Sequence, residues 1–487
     1  MNKGPDRRPW RFDLLLGDAD SDGAVPRYER LARAIIRDIR RGRLVSGALL
    51  PGTRTLARAL GVNRKVVVAA FEELVAQGWL ETMPAQGTRV SARLPELAVA
   101  DADPKRGQAV TARHRTKPRL HLSDGIPDAR LAPLTELGRA YRRALRSLSR
   151  SGLGYQDPSG DLVLRGVLAA FLNQARGLAC SPDQVLITHG SQMALSLTAL
   201  TLCKPGDHVA VENPGYVPAW NAFTLAGARL IHVAVDTHGL DTAALRHELT
   251  QCGARVRLVY VTPHHQYPTT VALAPHRRIE LLALAKEHDF LVIEDDYDHE
   301  YHFDRGPLLP LAASGSGLEQ VVYVGSLSKL IAPALRIGYI VAHREVIEQA
   351  RARRAVLDRQ GDIVLERAVA ELIEDGELQR HARKARRMYH ARRDFMGAAL
   401  EGDDRLRGRI NVDIPAGGLA LWVRVCHGVS VENWARAARL RGLGFTPGSA
   451  HAAQGDIQAF RAGFAALDDT ELAEAVRILG DSLLESG

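Results

Sequence analysis

From about residue 120 onward the chain alternates short β-branched runs with amphipathic helical stretches, and that alternation constrains the fold more than any other feature. The runs are QVLITHG, HVAVENP, RLVYVTP, FLVIEDD, QVVYVGS and RIGYIVA. Strands separated by helices predict an α/β domain with a mostly parallel sheet and helices on both faces. The runs end in polar residues, which suits a ligand site at the carboxyl ends of the strands. From about 390 to 487 strands (LALWVRV, FRAGFAA) mix with helices, as in a small C-terminal α+β subdomain. The large domain is therefore read as 120–487.

Residues 24–92 read as a separate compact unit. A helix over about Pro26–Arg41 carries Leu31, Ile35 and Ile39 on one face. A short helix around Arg54–Leu60 ends at Gly61, and Asn63 caps a third helix from Arg64 to about Gln77. Its buried stripe is expected to be Val67, Ala70, Phe71, Leu74 and Val75. The stretch WLETMPAQGTRVSA, with Pro84 and Gly87 at its turn, suits a β-wing. Two short helices around a Gly-containing turn form a helix-turn-helix, whose second helix enters the major groove with its N-terminal residues nearest the bases. Those are Asn63, Arg64 and Lys65. Arg64 suits guanine or phosphate, and Asn63 with the free N–H groups of the helix start suits phosphate. Arg54 is placed to hold backbone, and Arg89 on the wing to reach the adjacent minor groove. The plainer reading is a small helical protein-interaction module. Residues 93–119, a Pro-, Ala- and Arg-containing stretch without period, read as a linker.

Charge fits the nucleic-acid reading and, taken alone, a solvated basic surface equally well. Residues 1–119 hold 23 Lys and Arg against 13 Asp and Glu, while the rest of the +8 chain is close to neutral. A basic module on a neutral body points to a polyanion. No apolar run approaches the ~20 residues of a membrane span, and the polar N-terminus has no signal-peptide core, so a cytoplasmic protein is expected. Cys180, Cys203, Cys252 and Cys426 are scattered without a C-x-x-C pair, and read as buried hydrophobes rather than disulfides or metal ligands.

The run LPGTRTLARALGVNRKVVVAAFEELVAQGWLETMPAQGT resembles the GntR-family winged helix-turn-helix. It departs from that pattern at Val66, where Thr is usual, and at Gln86 in the wing. The resemblance implies a double-stranded DNA operator as partner.

In the large domain, Ser326-Leu327-Ser328-Lys329 after a strand offers the amine that a pyridoxal 5′-phosphate (PLP) Schiff base requires. Ser326 and Arg336 can bind a phosphate dianion. Gly190-Ser191-Gln192 opens a helix whose N–H groups form an anion cup. Tyr216 can stack on a pyridine ring, Asp295 can pair with its protonated nitrogen, and Tyr297 can donate to its ring oxygen. Arg461 can hold a substrate carboxylate bidentately. Taken singly, each has a plainer reading: a loop lysine, a core tyrosine, a helix cap. Together the six ordered motifs resemble fold-type I PLP enzymes of the aminotransferase subgroup, over about 120–487. That resemblance implies a homodimer in which Tyr155, within GYQDPSG, reaches the neighbouring subunit's phosphate.

Both halves in this order resemble the MocR branch of GntR regulators. The run Thr262 to Thr270 is TPHHQYPTT, where that branch commonly has TPSHQ[FY]PTG; His264 stands at the usual Ser and Thr270 at the usual Gly. Tyr267 stands where free aminotransferases carry an Asn that touches the ring oxygen. Ala420 replaces a common His. The resemblance implies a head-to-tail homodimer that senses PLP or a small amine or amino acid effector. The rivals are an active aminotransferase with an accessory DNA module, and a regulator that has lost PLP; intact Lys329, Asp295, Tyr297 and Arg336 argue against the last.

Overall fold

The computed structural model describes residues 26–40, 42–83, 87–92, 94, 118–122, 125–148, 152, 154–251, 255–304, 306, 308–314, 317–426 and 428–484. Pro84, Gln86, Cys252 and almost all of the expected linker lie outside them. The chain divides into two compact units, 1–115 and 116–487.

In the first unit, α1 (Arg27–Arg40), α2 (Thr53–Ala59) and α3 (Arg64–Ala76) precede strands β1 (Leu80–Met83) and β2 (Gly87–Val90). Leu31, Ile35 and Ile39 of α1 meet Leu56, Val67, Ala70, Phe71 and Leu74 in one core, closed by Trp79, Leu80 and Val90. Val75, expected in the buried stripe, is 38% exposed. Position 74 already faces the core, and a neighbour one residue on is rotated about 100° away on a 3.6-residue helix. The wing is an antiparallel pair running from Leu80 opposite Val90 to Met83 opposite Gly87.

The second unit is built on an eight-stranded sheet. In spatial order its strands are Val185–Thr188, Gly338–Val341, Val321–Ser326, Leu291–Asp296, Val256–Val261, His208–Asn213, Arg229–Asp236 and Gly239–Leu240. The neighbours from Val321–Ser326 to Arg229–Asp236 pair in parallel. Gly338–Val341 runs antiparallel to both of its neighbours. All six runs read from the sequence are strands; Arg229–Asp236 and Gly239–Leu240 are additional. Alternate residues enter two cores, one on each face: Val259, Val292 and Val321 in one, Leu258, Ile293 and Val322 in the other. Helices pack over both, as a parallel sheet buried on two faces requires.

The small subdomain is a four-stranded sheet of Ile410–Asp413, Ala420–Val425, Ala459–Gly463 and Thr446–Pro447. It is not purely C-terminal. Leu120–His121 pairs in parallel with Leu443–Gly444, and Leu120 and Leu122 enter the subdomain core with Trp434 and Phe460. Among the described residues no helix is long and apolar enough to cross a membrane.

Candidate cofactor pocket and nucleic-acid surface

Lys329, Asp295, Tyr297, Tyr216, Ser191 and Tyr267 line one cavity of about 490 Å³, together with Ile126, Tyr260, Thr262, Thr446 and His451. The first six each arrive on a strand end or in the segment that follows one. Asp295 is the penultimate residue of Leu291–Asp296, Lys329 follows Val321–Ser326, and Ser191 stands in the first turn of the helix Gly190–Leu202. The 262–270 segment is held by Glu212, which accepts from Thr262 Oγ1 at 2.7 Å and Gln266 Nε2 at 3.3 Å; Tyr267 N donates to Thr262 Oγ1 at 3.0 Å.

Asp295 is fully enclosed. Tyr260 Oη donates to its Oδ2 at 2.9 Å, while its Oδ1 is buried with no hydrogen-bond partner. Burial pushes this carboxyl up to about 7, against the pull of Tyr260 and Lys329. A buried carboxylate oxygen with nothing to accept from is costly, and this one belongs to a residue that lines a cavity. It suits a cationic N–H. Lys329 Nζ donates to the Gly125 carbonyl at 2.9 Å. Gly190 has φ +77°, and a Cβ there would stand 2.9 Å from the Arg336 guanidinium, so glycine is required for the arginine to lie over the helix start. Arg336 also donates to the His189 carbonyl at 2.9 Å. A lysine amine, a buried carboxylate and Ser191 of the helix start line one cavity, and residues of these types fit PLP.

The remaining residues expected at the site are disposed differently. Ser326 is buried beside the lysine loop, its Oγ accepting from Ser328 N at 3.0 Å. Gln192 donates to the Pro218 carbonyl at 2.9 Å. Tyr297 Oη, expected to serve a ring oxygen, donates to the His265 carbonyl at 2.7 Å. Arg461 is fully buried, donates to the Pro268 carbonyl at 2.8 Å and lies over the Tyr267 ring at 4.8 Å. It stands behind two cavity tyrosines rather than in the lining. Tyr155 is 74% exposed, capped by the Arg359 guanidinium at 3.6 Å, and takes no part in this chain's own cavity. Thr262, first residue of the TPHHQYPTT run, also joins the lining, as do Tyr260 and His451, which carry no sequence signal of their own. Tyr260 sits inside an apolar strand run, and only the pairing of that strand beside Leu291–Asp296 reveals its partner.

On the other unit, Arg54, Asn63, Arg64 and Lys65 are all exposed. Asn63 Oδ1 accepts from Lys65 N at 2.9 Å, capping α3. Arg64 Nε reaches Thr53 Oγ1 at 3.4 Å, which gathers Arg64 and Arg54 at the starts of the two helices. Gly87 opens β2 with φ +96°. Arg89 pairs with Glu81 at 3.1 Å across the wing.

Two family models match the chain: bacterial regulatory proteins of the gntR family over residues 27–90, and aminotransferase class I and II over 119–479. The probable rhizopine catabolism regulatory protein MocR of Rhizobium meliloti is 30% identical over 97% of this chain and 96% of its own length. The chain belongs to the MocR-type GntR regulators. Another relative of this type is the pyridoxine biosynthesis transcriptional regulator PdxR of Corynebacterium glutamicum, 33% identical over 76% of this chain and 78% of its own. Among solved structures, the Thermus thermophilus α-aminoadipate aminotransferase LysN, complexed with a phosphopyridoxyl-leucine, is similar with a TM-score of 0.69 and 31% identity, covering 75% of this chain and 92% of that one. As in other MocR-type regulators, a GntR DNA-binding domain here precedes an aminotransferase-like domain of mixed, mostly parallel sheet.

Proposed function

We propose that this regulator binds PLP covalently at Lys329 and that its grip on an operator responds to PLP or to an amino compound meeting it in the same cavity. The observation that carries the reading is Asp295: a buried carboxylate oxygen without a partner, in one cavity with a lysine amine. Bound PLP supplies an aldehyde that condenses with amines and a ring that withdraws electrons. Lys329 provides the amine, Asp295 holds a proton at the ring nitrogen, and Tyr216 packs on the ring. Ser191, Gly190 and Gln192 at the helix start, with Ser326 and Arg336, take the phosphate. Tyr267 and Tyr297 flank the ring oxygen, and Arg461 orients an effector carboxylate. The exposed Tyr155 reaches the phosphate of a second copy in a head-to-tail homodimer. Arg54, Asn63, Arg64 and Lys65, with Gly87 and Arg89 on the wing, contact DNA. An effector with different affinity for two arrangements of the chain shifts their balance and hence operator affinity.

The test is the visible spectrum of the purified protein with borohydride trapping, followed by operator binding of Lys329→Ala. The adduct is expected on Lys329. The variant should keep basal DNA affinity, because residues 24–92 are untouched, and lose the response to PLP and amines. A colourless protein that takes up no added PLP refutes the reading. Multiple-turnover transamination at ordinary enzyme rates of about 1–10³ s⁻¹, with DNA binding indifferent to ligands, would favour the enzyme.

A further inference from the structure

On the opposite face of the sheet from Asp295, three histidines converge. Successive residues of a strand face opposite sides, so Asp296 turns away from the cavity. It meets His264, from the segment after Val256–Val261, and His299, from the loop that follows Asp296 itself; His302 of that loop packs against both imidazoles. One nitrogen from each of His264, His299 and His302 lies within 4.8 Å of the others. His264 and His299 are buried, and His302 half-buried.

Four buried atoms here have no hydrogen-bond partner: His264 Nδ1, His299 Nδ1, His302 Nε2 and Asp296 Oδ1. Roughly nine in ten buried polar groups are normally satisfied, so four gathered in one place require a cause. His264 identifies it. Its Nε2 stands 2.7 Å from the Leu308 carbonyl, which only accepts, so the proton is on Nε2 and Nδ1 presents a lone pair. A backbone carbonyl that fixes the far N–H of an imidazole is the usual outer support of a metal-binding histidine. His299 Nδ1 lies 2.9 Å from Asp296 Oδ2 but is not aligned for a hydrogen bond. Asp296 Oδ2 is held from behind by the hydroxyl of Tyr323 and, at 3.5 Å, by Arg176, whose own charge is met by Glu300.

We propose that His264, His299, His302 and Asp296 form a site for a divalent transition metal of the zinc type. Three imidazoles and one carboxylate are a borderline-soft set that suits Zn²⁺ and its spectroscopic substitute Co²⁺ rather than Mg²⁺ or Ca²⁺. Zinc–nitrogen bonds of about 2.0–2.1 Å require the rings to close by about an ångström on binding. His302 borders both a cavity of about 580 Å³ and another of about 200 Å³, which gives an ion a way in. The site is independent of the PLP reading: it shares a strand with Asp295 but none of the pocket residues.

The experiment is titration of chelator-treated full-length protein with Co²⁺, then competition with Zn²⁺. One Co²⁺ per chain with the intense visible bands of tetrahedral coordination is expected, displaced by Zn²⁺. His302→Gln should weaken it about tenfold or more, at least the loss seen on removing an outer-shell partner. His247→Gln, on an exposed helix surface, should leave it unchanged. No uptake by the wild type, octahedral bands only, or equal binding by His302→Gln overturns the proposal. Should His302→Gln fail to fold, X-ray absorption of the wild-type Co²⁺ protein decides: three imidazole nitrogens uphold the site, and fewer overturn it.

Discussion

Replacing Asp295 by Asn should move two properties in opposite directions. The carboxyl is pushed by burial from the ordinary 3.8 up to about 7, so above pH 7 the PLP-free protein carries an unfavourable buried charge. At about 1.4 kcal/mol per pH unit, that charge costs on the order of 4 kcal/mol relative to an exposed carboxylate. Asn removes it and keeps the bond from Tyr260, but its amide must find water or remain unpaired, which returns about 1–3 kcal/mol. The PLP-free large domain should therefore gain about 1–3 kcal/mol at pH 8. Affinity for PLP should fall, because Asn cannot pair with a protonated ring nitrogen. Losing a hydrogen bond to a charged group costs about 1.5–3 kcal/mol, or roughly 10- to 150-fold in Kd. Urea unfolding of stripped protein reads the first effect, and absorbance titration with PLP the second. A variant that is less stable without PLP, yet binds PLP as tightly as the wild type, would refute the reasoning.

Arg64→Ala and Lys65→Ala should each weaken operator binding and lower the slope of log affinity against log salt by ~0.9 for every phosphate the side chain no longer neutralises; gel shifts over a salt series check this. Asn63→Ala should destabilise the DNA-binding unit by about 1 kcal/mol through loss of the cap on Lys65 N, seen in its thermal transition. Thr270 holds φ +66°, a conformation that costs a β-branched residue about 1–2 kcal/mol; Thr270→Gly should stabilise the domain by about 1 kcal/mol in denaturant melts, less than the strain relieved because glycine loses more entropy on folding. Glu366 is pushed by burial from 4.5 up to about 7. The folded state thus binds the extra proton between those values, and stability should fall as pH rises through the window, by on the order of 3 kcal/mol; Glu366→Gln should flatten that dependence.

Strand positions are legible in the sequence because each is a short apolar run bounded by turn residues, and Lys329 and Asp295 are legible because they end such runs or follow them. Arg229–Asp236 is not, since RLIHVAVD carries charge at both ends and a histidine midway. The tyrosines of the candidate pocket divide along the same line. Tyr216 and Tyr297 follow strands, where a functional role is readable. Tyr260 looks like core until the neighbouring strand puts Asp295 within 2.9 Å. The histidine cluster has no sequence signature because its members come from two segments, joined only by parallel pairing of the strands that precede them. Arg461 is legible as a guanidinium suited to a carboxylate, but its setting is not: the Pro268 carbonyl and the Tyr267 ring that it meets lie in a distant segment of the sequence.

The pairing of Leu120–His121 with Leu443–Gly444 sets an order of events during synthesis. Among the described residues, every core residue of the DNA-binding unit lies between Leu31 and Val90, so that unit can fold as soon as those residues clear the ribosome. The subdomain core that takes in Leu120 and Leu122 must wait for Leu443, more than 350 residues after Val90. At about 5–20 residues per second the delay is about 20–70 s, during which a nascent chain carries a finished DNA-binding unit ahead of an unfinished aminotransferase-like domain.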